Sequence, residues 1–276
     1  MPFQIDDLRR AYLKYHEFRK NNKFSFHERF IFPYICGTYF GYRKVDVLRV
    51  VAIAKSISPK PKYLDIGCGY GDFLEKIREF IPDAIGIEKD GGIFYEFNRV
   101  KPDYIQIKDV SLDLNEKYDV IFVGWMDPGV DFRKAIAKST DCIITNFDTG
   151  GQCGINAGCE YEEFGFRRIA WWRTPSWIDV NYQIMNKYYT PMTDETKKQL
   201  VELRSAHTMW YVYARENLSS ISSEALSLWL KKESQLLLDV EKYNFEQVMD
   251  ECGFHYNEEL ALLSPPKKAL WKVCFE

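Results

Sequence analysis

The chain has 276 residues, of which 46% are hydrophobic and 28% are charged, a balance typical of soluble globular proteins. Its formal net charge is -3, so the composition does not indicate a general affinity for nucleic acid phosphates. No apolar run reaches the ~20 residues needed to cross a bilayer, and the seven cysteines are scattered. We therefore expect a cytoplasmic protein with reduced thiols, no membrane partner and no metal.

The first 58 residues are predicted to form a helical cap. Residues 4–22 carry apolar side chains at helical spacing, and residues 45–58 form a second amphipathic pattern that ends before Pro59. Basic residues between positions 9 and 23 alternate with aromatic ones, so an RNA-binding face stays open as an alternative.

From residue 59 to about 214, short apolar segments alternate with helical patterns. We predict helices at 72–81, 91–100 and 130–139, and strands at 62–67, 84–88, 104–110, 118–124 and 141–147. Because these strands are apolar on both faces, the pattern predicts a parallel sheet that helices cover on both sides.

The rhythm changes after residue 147. Strands are predicted at 164–172 and 208–216, on either side of an aromatic insertion at about 174–206 that contains a helix near 193–206. Residues 215–276 are predicted to be a mainly helical extension, which ends in a strand-like segment. Two strand pairs can close the sheet, and we favour 164–173 with 207–214 over a pair that uses the last residues.

The run "YLDIGCGYGDFLEKI" at residues 63–77 passes from a strand through a glycine cluster into a helix. Gly67, Gly69 and Gly71 permit positive φ and the close approach of a ligand to the backbone. Asp65 stands before the first glycine, where its carboxylate would repel the pyrophosphate of a dinucleotide. Glu88 follows about 20 positions later at the end of the next strand, which suits hydrogen bonds from ribose hydroxyls.

These residues make the segment 61–147 resemble the core of the class I S-adenosylmethionine-dependent methyltransferases. The resemblance implies a doubly wound, mostly parallel α/β sheet of the seven-stranded methyltransferase type, with S-adenosyl-L-methionine as co-substrate. Its sulfonium and ammonium groups are cationic and suit a carboxylate. The cofactor-binding residues implied are Asp65, Gly67, Cys68, Gly69, Glu88, Lys89, Asp109, Gly124, Trp125, Tyr42 and Arg43.

The resemblance also implies separate roles for some of these residues. Asp109 falls where the family contacts the adenine amine, and Gly124 with Trp125 falls where the family borders its methyl-transfer pocket. Tyr42 and Arg43 lie before the first strand, from where side chains can reach the cofactor carboxylate. Cys68 is expected to fill space within the turn rather than to react.

The segment "GWMDPGVDF" after the fourth predicted strand carries the candidate catalytic residues, Asp127 and Asp131. Either carboxylate can orient an acceptor or take its proton. The alternative is that Asp-Pro-Gly is a turn and that Asp131 caps the next helix. Family members that methylate base or glutamine amino groups carry two prolines and an aromatic residue here, and this chain lacks the second proline and the aromatic residue.

The sequence therefore predicts an enzyme that transfers a methyl group to an N or O atom of a small-molecule or protein acceptor. An RNA-modifying methyltransferase is the first alternative, and an aminopropyl transferase with a decarboxylated cofactor is a weaker one. A non-enzymatic binding module is disfavoured because the glycine turn and both carboxylates, Asp65 and Glu88, are intact.

Overall fold

A computed structural model describes most of the chain between residues 41 and 276. The residues described are 41–96, 98–112, 114–127, 129–147, 159–175, 193, 208–236, 262 and 271–276. The predicted helix at 4–22 lies outside them, and so does the helix near 193–206 apart from Thr193.

The chain divides into two compact units. The larger comprises residues 45–172, 209–240 and 273–276, and the smaller comprises 1–44, 173–208 and 241–272. Within the smaller unit, the Arg173 guanidinium lies 5.2 Å from the centroid of the Trp271 ring. The predicted division at 1–58, 59–214 and 215–276 stays a prediction.

One sheet of eight strands forms the centre of the larger unit, in the order β3-β2-β1-β4-β5-β7-β6-β8. The strands are β1 Tyr63–Ile66, β2 Ile85–Glu88, β3 Ile105–Ile107, β4 Val120–Gly124, β5 Cys142–Phe147, β6 Arg167–Arg173, β7 Met209–Ala214 and β8 Cys274–Phe275. Strands β1 to β5 pair in parallel, whereas β7 is antiparallel to β5 and β8 is antiparallel to β6. The predicted doubly wound sheet is confirmed, and so is the predicted neighbourhood of β6 and β7. The tail adds β8 at the outer edge.

The α-helices in the described segments are α1 Lys44–Ile57, α2 Asp72–Arg78, α3 Gly92–Glu96, α4 Arg133–Ser139 and α5 Glu216–Leu236. Helix α3 is shorter than its predicted range because Asn98 has φ 49°, a left-handed conformation that ends helical geometry. Strand β3 is also shorter than predicted. The Asp109 side chain accepts a hydrogen bond from the Ser111 N–H and starts a 3₁₀ turn at Val110–Leu112.

Aromatic side chains pack on the sheet and build much of its core. The Phe73 ring on α2 lies 4.7 Å from Phe122 on β4, and Trp210 on β7 lies 5.7 Å from Phe122. Trp172 on β6 stacks on Trp210 with centroids 5.5 Å apart and an interplanar angle of 7°. Rings from three strands and one helix therefore meet in one contiguous cluster.

A buried ionic cluster joins α1, α5 and β6. Arg49 donates to both carboxylate oxygens of Glu233, at 2.9 Å from Nε and 2.5 Å from Nη2. Asp46 Oδ1 accepts from the Trp172 indole N–H at 3.0 Å and lies 3.4 Å from Arg49 Nη1. Among the residues described, no helix is both long and apolar enough to cross a membrane.

Candidate functional site at the carboxyl edge of the sheet

The glycine turn between β1 and α2 has the backbone geometry that its sequence predicts. Gly67, Gly69 and Gly71 have φ values of 69°, 57° and 88°, all in the left-handed region. A Cβ at Gly71 would also lie 2.6 Å from Ile105 Cδ1, so a larger residue there would displace the end of that side chain as well as strain the backbone. The Gly67 N–H donates to Ile87 O at 2.9 Å, which ties the turn to β2.

Glu88 ends β2 with its carboxylate directed to the turn. Glu88 Oε2 accepts from the Gly69 N–H at 2.9 Å, and Oε1 accepts from the Lys89 N–H at 2.7 Å. Each carboxylate oxygen can accept more than one hydrogen bond. Glu88 is therefore fixed in place and keeps the capacity to accept from ribose hydroxyls.

Asp65 is a buried carboxyl group at the foot of the turn, with only 2% of its surface exposed. Its Oδ1 atom is buried and has no hydrogen-bond donor within the described part of the chain. Burial raises the pKa of Asp65 well above its usual range, and the nearby carboxylates Asp72 and Glu88 raise it further. A cationic group placed here would relieve this cost, whereas an anionic group would increase it.

Cys68 is packed inside the turn, as expected of a space-filling residue. Burial raises the pKa of its thiol far above the ordinary value, so the group stays protonated at neutral pH. A Cβ on Gly86 would lie 2.7 Å from Cys68 Sγ and 2.6 Å from Leu74 Cδ2. The Cys68 side chain therefore packs against Gly86, as a space-filling residue does.

The predicted adenosine-binding residues come together at the ends of β2 and β3. Asp109 Oδ1 accepts from Ser111 N and Oγ at 2.9 and 2.7 Å, and Asp109 Oδ2 lies 3.5 Å from Lys89 Nζ. Hydrogen bonds from Ser111 lower the pKa of Asp109, and Lys89 lowers it further. Asp109 is therefore an ionised acceptor beside Glu88 on the same edge.

At the ends of β4 and β5, Trp125 and Asn146 are joined by two hydrogen bonds that the sequence did not predict. Trp125 follows Gly124 with φ 50°, and its N–H donates to Asn146 O at 2.8 Å. The Trp125 indole Nε1 donates to Asn146 Oδ1 at 2.9 Å. The sequence contains one indication of a role for Asn146, which is a polar residue near the end of the apolar strand "CIITNF".

The two candidate catalytic carboxylates have different surroundings. Asp131 Oδ1 accepts from Arg133 N and Nε at 3.1 and 2.9 Å, and Oδ2 accepts from Arg133 Nη2 at 2.9 Å. Arg133 thereby lowers the pKa of Asp131, which lies at the start of α4. Asp127 is exposed, two residues after Trp125, and its backbone O accepts from the Val130 N–H at 3.2 Å. Within the described segments, its side chain makes no hydrogen bond.

Tyr42 and Arg43 are both buried, at 2% and 9% exposure, just before α1. They belong to the smaller unit, whereas the glycine turn belongs to the larger one. Their contact with the cofactor stays a prediction. Among the residues described, no three His, Cys, Asp or Glu side chains form a group that could hold a metal ion.

No protein-family model matches the chain, and no curated protein matches it. Among solved structures, DesVI from Streptomyces venezuelae has 16% identity and a TM-score of 0.31, covering 37% of this chain and 49% of its own. The sugar N-methyltransferase KedS8 from Streptoalloteichus sp. ATCC 53650 has 19% identity and a TM-score of 0.31, with coverages of 39% and 49%. The methyltransferase domain of bacterial CtHen1 has 14% identity and a TM-score of 0.39, with coverages of 62% and 97%. The chain thus spans about half the length of the first two, and the fold rests on the strand order rather than on these likenesses.

Proposed function

We propose that the protein is an S-adenosylmethionine-dependent methyltransferase that acts on an N or O atom of a small-molecule or protein acceptor. The observation that carries this proposal is the buried carboxyl of Asp65 beneath a turn of left-handed glycines, because its Oδ1 has no hydrogen-bond donor among the residues that the structure describes. The sulfonium and ammonium of S-adenosylmethionine supply positive charge to this region. A dinucleotide would instead bring a pyrophosphate next to Asp65, Asp72 and Glu88.

The order of strands supports an extended placement of the cofactor along the carboxyl edge. Glu88 on β2 would hold the ribose, and Asp109 after β3 would accept from the adenine amine. Gly67 and Gly69 at the end of β1 would admit the central part of the molecule against the backbone. The nucleoside would then lie over β2 and β3, on one side of β1. The other side of β1, at β4 and β5, remains for the methyl acceptor.

The cofactor supplies a methyl group that its positive sulfur already activates, so the protein mainly aligns the reactants and excludes water. Asp127 is the group best placed to take a proton from the acceptor, because it is exposed at the end of β4. Asp131 is already engaged by Arg133 through both carboxylate oxygens, which favours a capping role for it.

Substitution tests this assignment of roles. Asp127→Asn is expected to lower methyl transfer by about 100-fold and to leave the affinity for S-adenosylhomocysteine unchanged. Asp131→Asn is the matched variant, and we expect it to lower thermal stability more than turnover. Normal turnover by Asp127→Asn would remove Asp127 from the mechanism.

The proposed function as a whole is tested by calorimetric titration with S-adenosylmethionine and S-adenosylhomocysteine. We expect binding that Asp65→Ala weakens by about 100-fold or more. Asp83→Ala is the control, because Asp83 is an exposed carboxylate before β2 at the opposite edge of the sheet. Folded protein that binds neither nucleoside would overturn the proposal.

The acceptor is then sought with S-adenosylmethionine that carries a tritiated methyl group. An extract of the source cells is incubated with the protein and separated into protein, RNA and small-molecule fractions. We expect label in the protein or small-molecule fraction. Label in the RNA fraction, together with salt-sensitive RNA binding, would instead favour the RNA-modifying alternative.

A further inference from the structure

Asn146, at the carboxyl edge of the sheet, has a side-chain donor that finds no acceptor among the described residues. The residue is fully buried near the end of β5. Its Oδ1 accepts from the indole N–H of Trp125 at 2.9 Å. Its Nδ2 atom is buried as well, and no acceptor for it exists within the described part of the chain.

The orientation of the Asn146 amide follows from chemistry. The indole Nε1 of Trp125 is a donor only, so the amide oxygen has to face it and the NH₂ group has to point elsewhere. Buried polar groups are nearly always hydrogen-bonded, and one left unpaired costs folding free energy. A buried donor that has no acceptor among the described residues is therefore suited to a ligand.

The position of Asn146 in the sheet indicates which part of the ligand it faces. Asn146 pairs with Gly124 in the parallel register of β4 and β5. Strand β4 lies directly beside β1, and a Cβ on Gly67 would be 3.8 Å from Gly124 O. Glu88 and Asp109 lie on the other side of β1. The Asn146 amide thus belongs to the side of the edge that the cofactor nucleoside leaves open.

Trp125 belongs to the same arrangement. Its left-handed φ of 50° is uncommon for a bulky residue, and two hydrogen bonds to Asn146, one from the backbone and one from the indole, hold it there. Asn146 thereby positions an aromatic ring with its Oδ1, while its Nδ2 has no acceptor in the part of the chain that the structure describes. A ring and a donor fixed together form a recognition surface rather than a single contact.

We infer that Asn146 determines acceptor specificity in the proposed methyl transfer. Its Nδ2 donates a hydrogen bond to a carbonyl, carboxylate or hydroxyl oxygen of the methyl acceptor, while its Oδ1 fixes the Trp125 ring against the same molecule. This inference rests on the proposed function and adds to it the class of acceptor, a molecule with an oxygen acceptor close to the atom that is methylated.

Two substitutions of Asn146 and one control test the inference. Asn146→Leu removes the hydrogen bond from Trp125 and the proposed hydrogen bond to the acceptor, whereas Asn146→Asp keeps an oxygen that faces Trp125 and, when ionised, lacks the donor. Thr145→Val is the control, because it deletes a buried hydroxyl of the preceding residue, whose side chain points to the other face of β5. Thermal melts establish that each variant is folded. If Asn146→Leu does not fold, the result with Asn146→Asp tests the inference.

The variants are compared by calorimetry with S-adenosylhomocysteine and by transfer of tritiated methyl groups into dilutions of the cell extract. We expect affinities for S-adenosylhomocysteine within about 2-fold of the unaltered protein and labelling lowered about 10-fold or more in both Asn146 variants. The loss should be largest in dilute extract, because the missing bond weakens acceptor binding. Thr145→Val should behave as the unaltered protein does.

Each other outcome counts against the inference in a recognisable way. Undiminished labelling by folded Asn146 variants overturns it and leaves the proposed function intact. A fall of about 10-fold in affinity for S-adenosylhomocysteine assigns the donor to the cofactor and overturns the acceptor role. If the unaltered protein binds S-adenosylhomocysteine but labels no fraction, methyl transfer and the acceptor role fail together. If it binds neither nucleoside, the proposed function itself fails.

Discussion

Two buried aspartates, Asp46 on α1 and Asp65 on β1, differ in their partners, and we propose that Asp46 stabilises the fold whereas Asp65 binds a ligand. Asp46 is 0% exposed and Asp65 is 2% exposed, so burial alone does not distinguish them. Asp46 lies 3.4 Å from Arg49 and accepts from the Trp172 indole. Asp65 has neither a cation nor a donor at its Oδ1 within the described segments.

A buried carboxylate therefore indicates a ligand-binding role only when the protein does not supply its partners. A carboxylate that arrives with its counterion costs little further free energy and has no need of a ligand. For a buried carboxyl group without a counterion, desolvation raises the pKa, and ionisation of the group destabilises the ligand-free protein. Binding of a cation would recover this cost, which agrees with the ligand-binding role proposed for Asp65 and with a structural role for Asp46.

Removal of the counterion of Asp46 should have the largest effect on stability. Arg49→Met removes the guanidinium that contacts both Asp46 and Glu233, and we expect a loss of about 3–5 kcal/mol in the free energy of unfolding, measured by urea denaturation. Lys55→Met, an exposed lysine on the same helix, is the control and should change little. A loss under about 1 kcal/mol for Arg49→Met would contradict a structural role for this cluster.

Asp65→Asn should have the opposite effect on stability. Because the folded-state pKa of Asp65 is raised, its ionisation costs stability, which is lost as the pH rises through that pKa. The variant should therefore melt at a higher temperature than the ligand-free wild type at neutral pH, and the difference should vanish as the pH falls towards about 3.9. Its affinity for S-adenosylmethionine should fall about 100-fold. A lower melting temperature for the variant at neutral pH would show that Asp65 stabilises the fold.

Proton release on binding provides a second test of the role of Asp65. A bound cation favours the ionised form of Asp65, so S-adenosylmethionine should displace a proton over the pH range below the raised pKa of the free protein. Its affinity should accordingly rise with pH in this range. Calorimetry in two buffers of different ionisation enthalpy measures the protons released. Equal observed enthalpies in both buffers would indicate that Asp65 does not change its ionisation.

Asp109→Asn should have the smallest effect. The amide keeps an oxygen that can accept from Ser111, but it loses the charge beside Lys89 and half of its capacity to accept from an adenine amine. We expect the affinity for S-adenosylhomocysteine to fall about 3-fold. Ser111→Ala is the control, because it removes only the hydrogen bond from Ser111 Oγ to Asp109. An equal loss of affinity in both variants would show that Asp109 stabilises the turn and does not contact the adenine.

The sequence predicted the parts of the site that contiguous residues encode. The turn with Gly67, Gly69 and Gly71 follows from a strand, a glycine cluster and a helix in one short run, and Glu88 follows from the end of the next strand. The contact of Asn146 with Trp125 depends on the register between β4 and β5, which no local pattern specifies. The pairing of Arg49 with Glu233 joins residues 184 positions apart and was equally inaccessible.

The strand order also has a consequence for the vectorial synthesis of the chain. Strand β6 is made before β7, yet β7 occupies the place between β5 and β6 in the finished sheet. A nascent chain that contains β1 to β6 can therefore pair β1 to β5, but β6 has no neighbouring strand until β7 is made, and Trp172 on β6 has no Trp210 to stack on. Because domains fold as they emerge from the ribosome, a stalled ribosome would present the unpaired backbone and the apolar side chains of residues 169–172 to a chaperone.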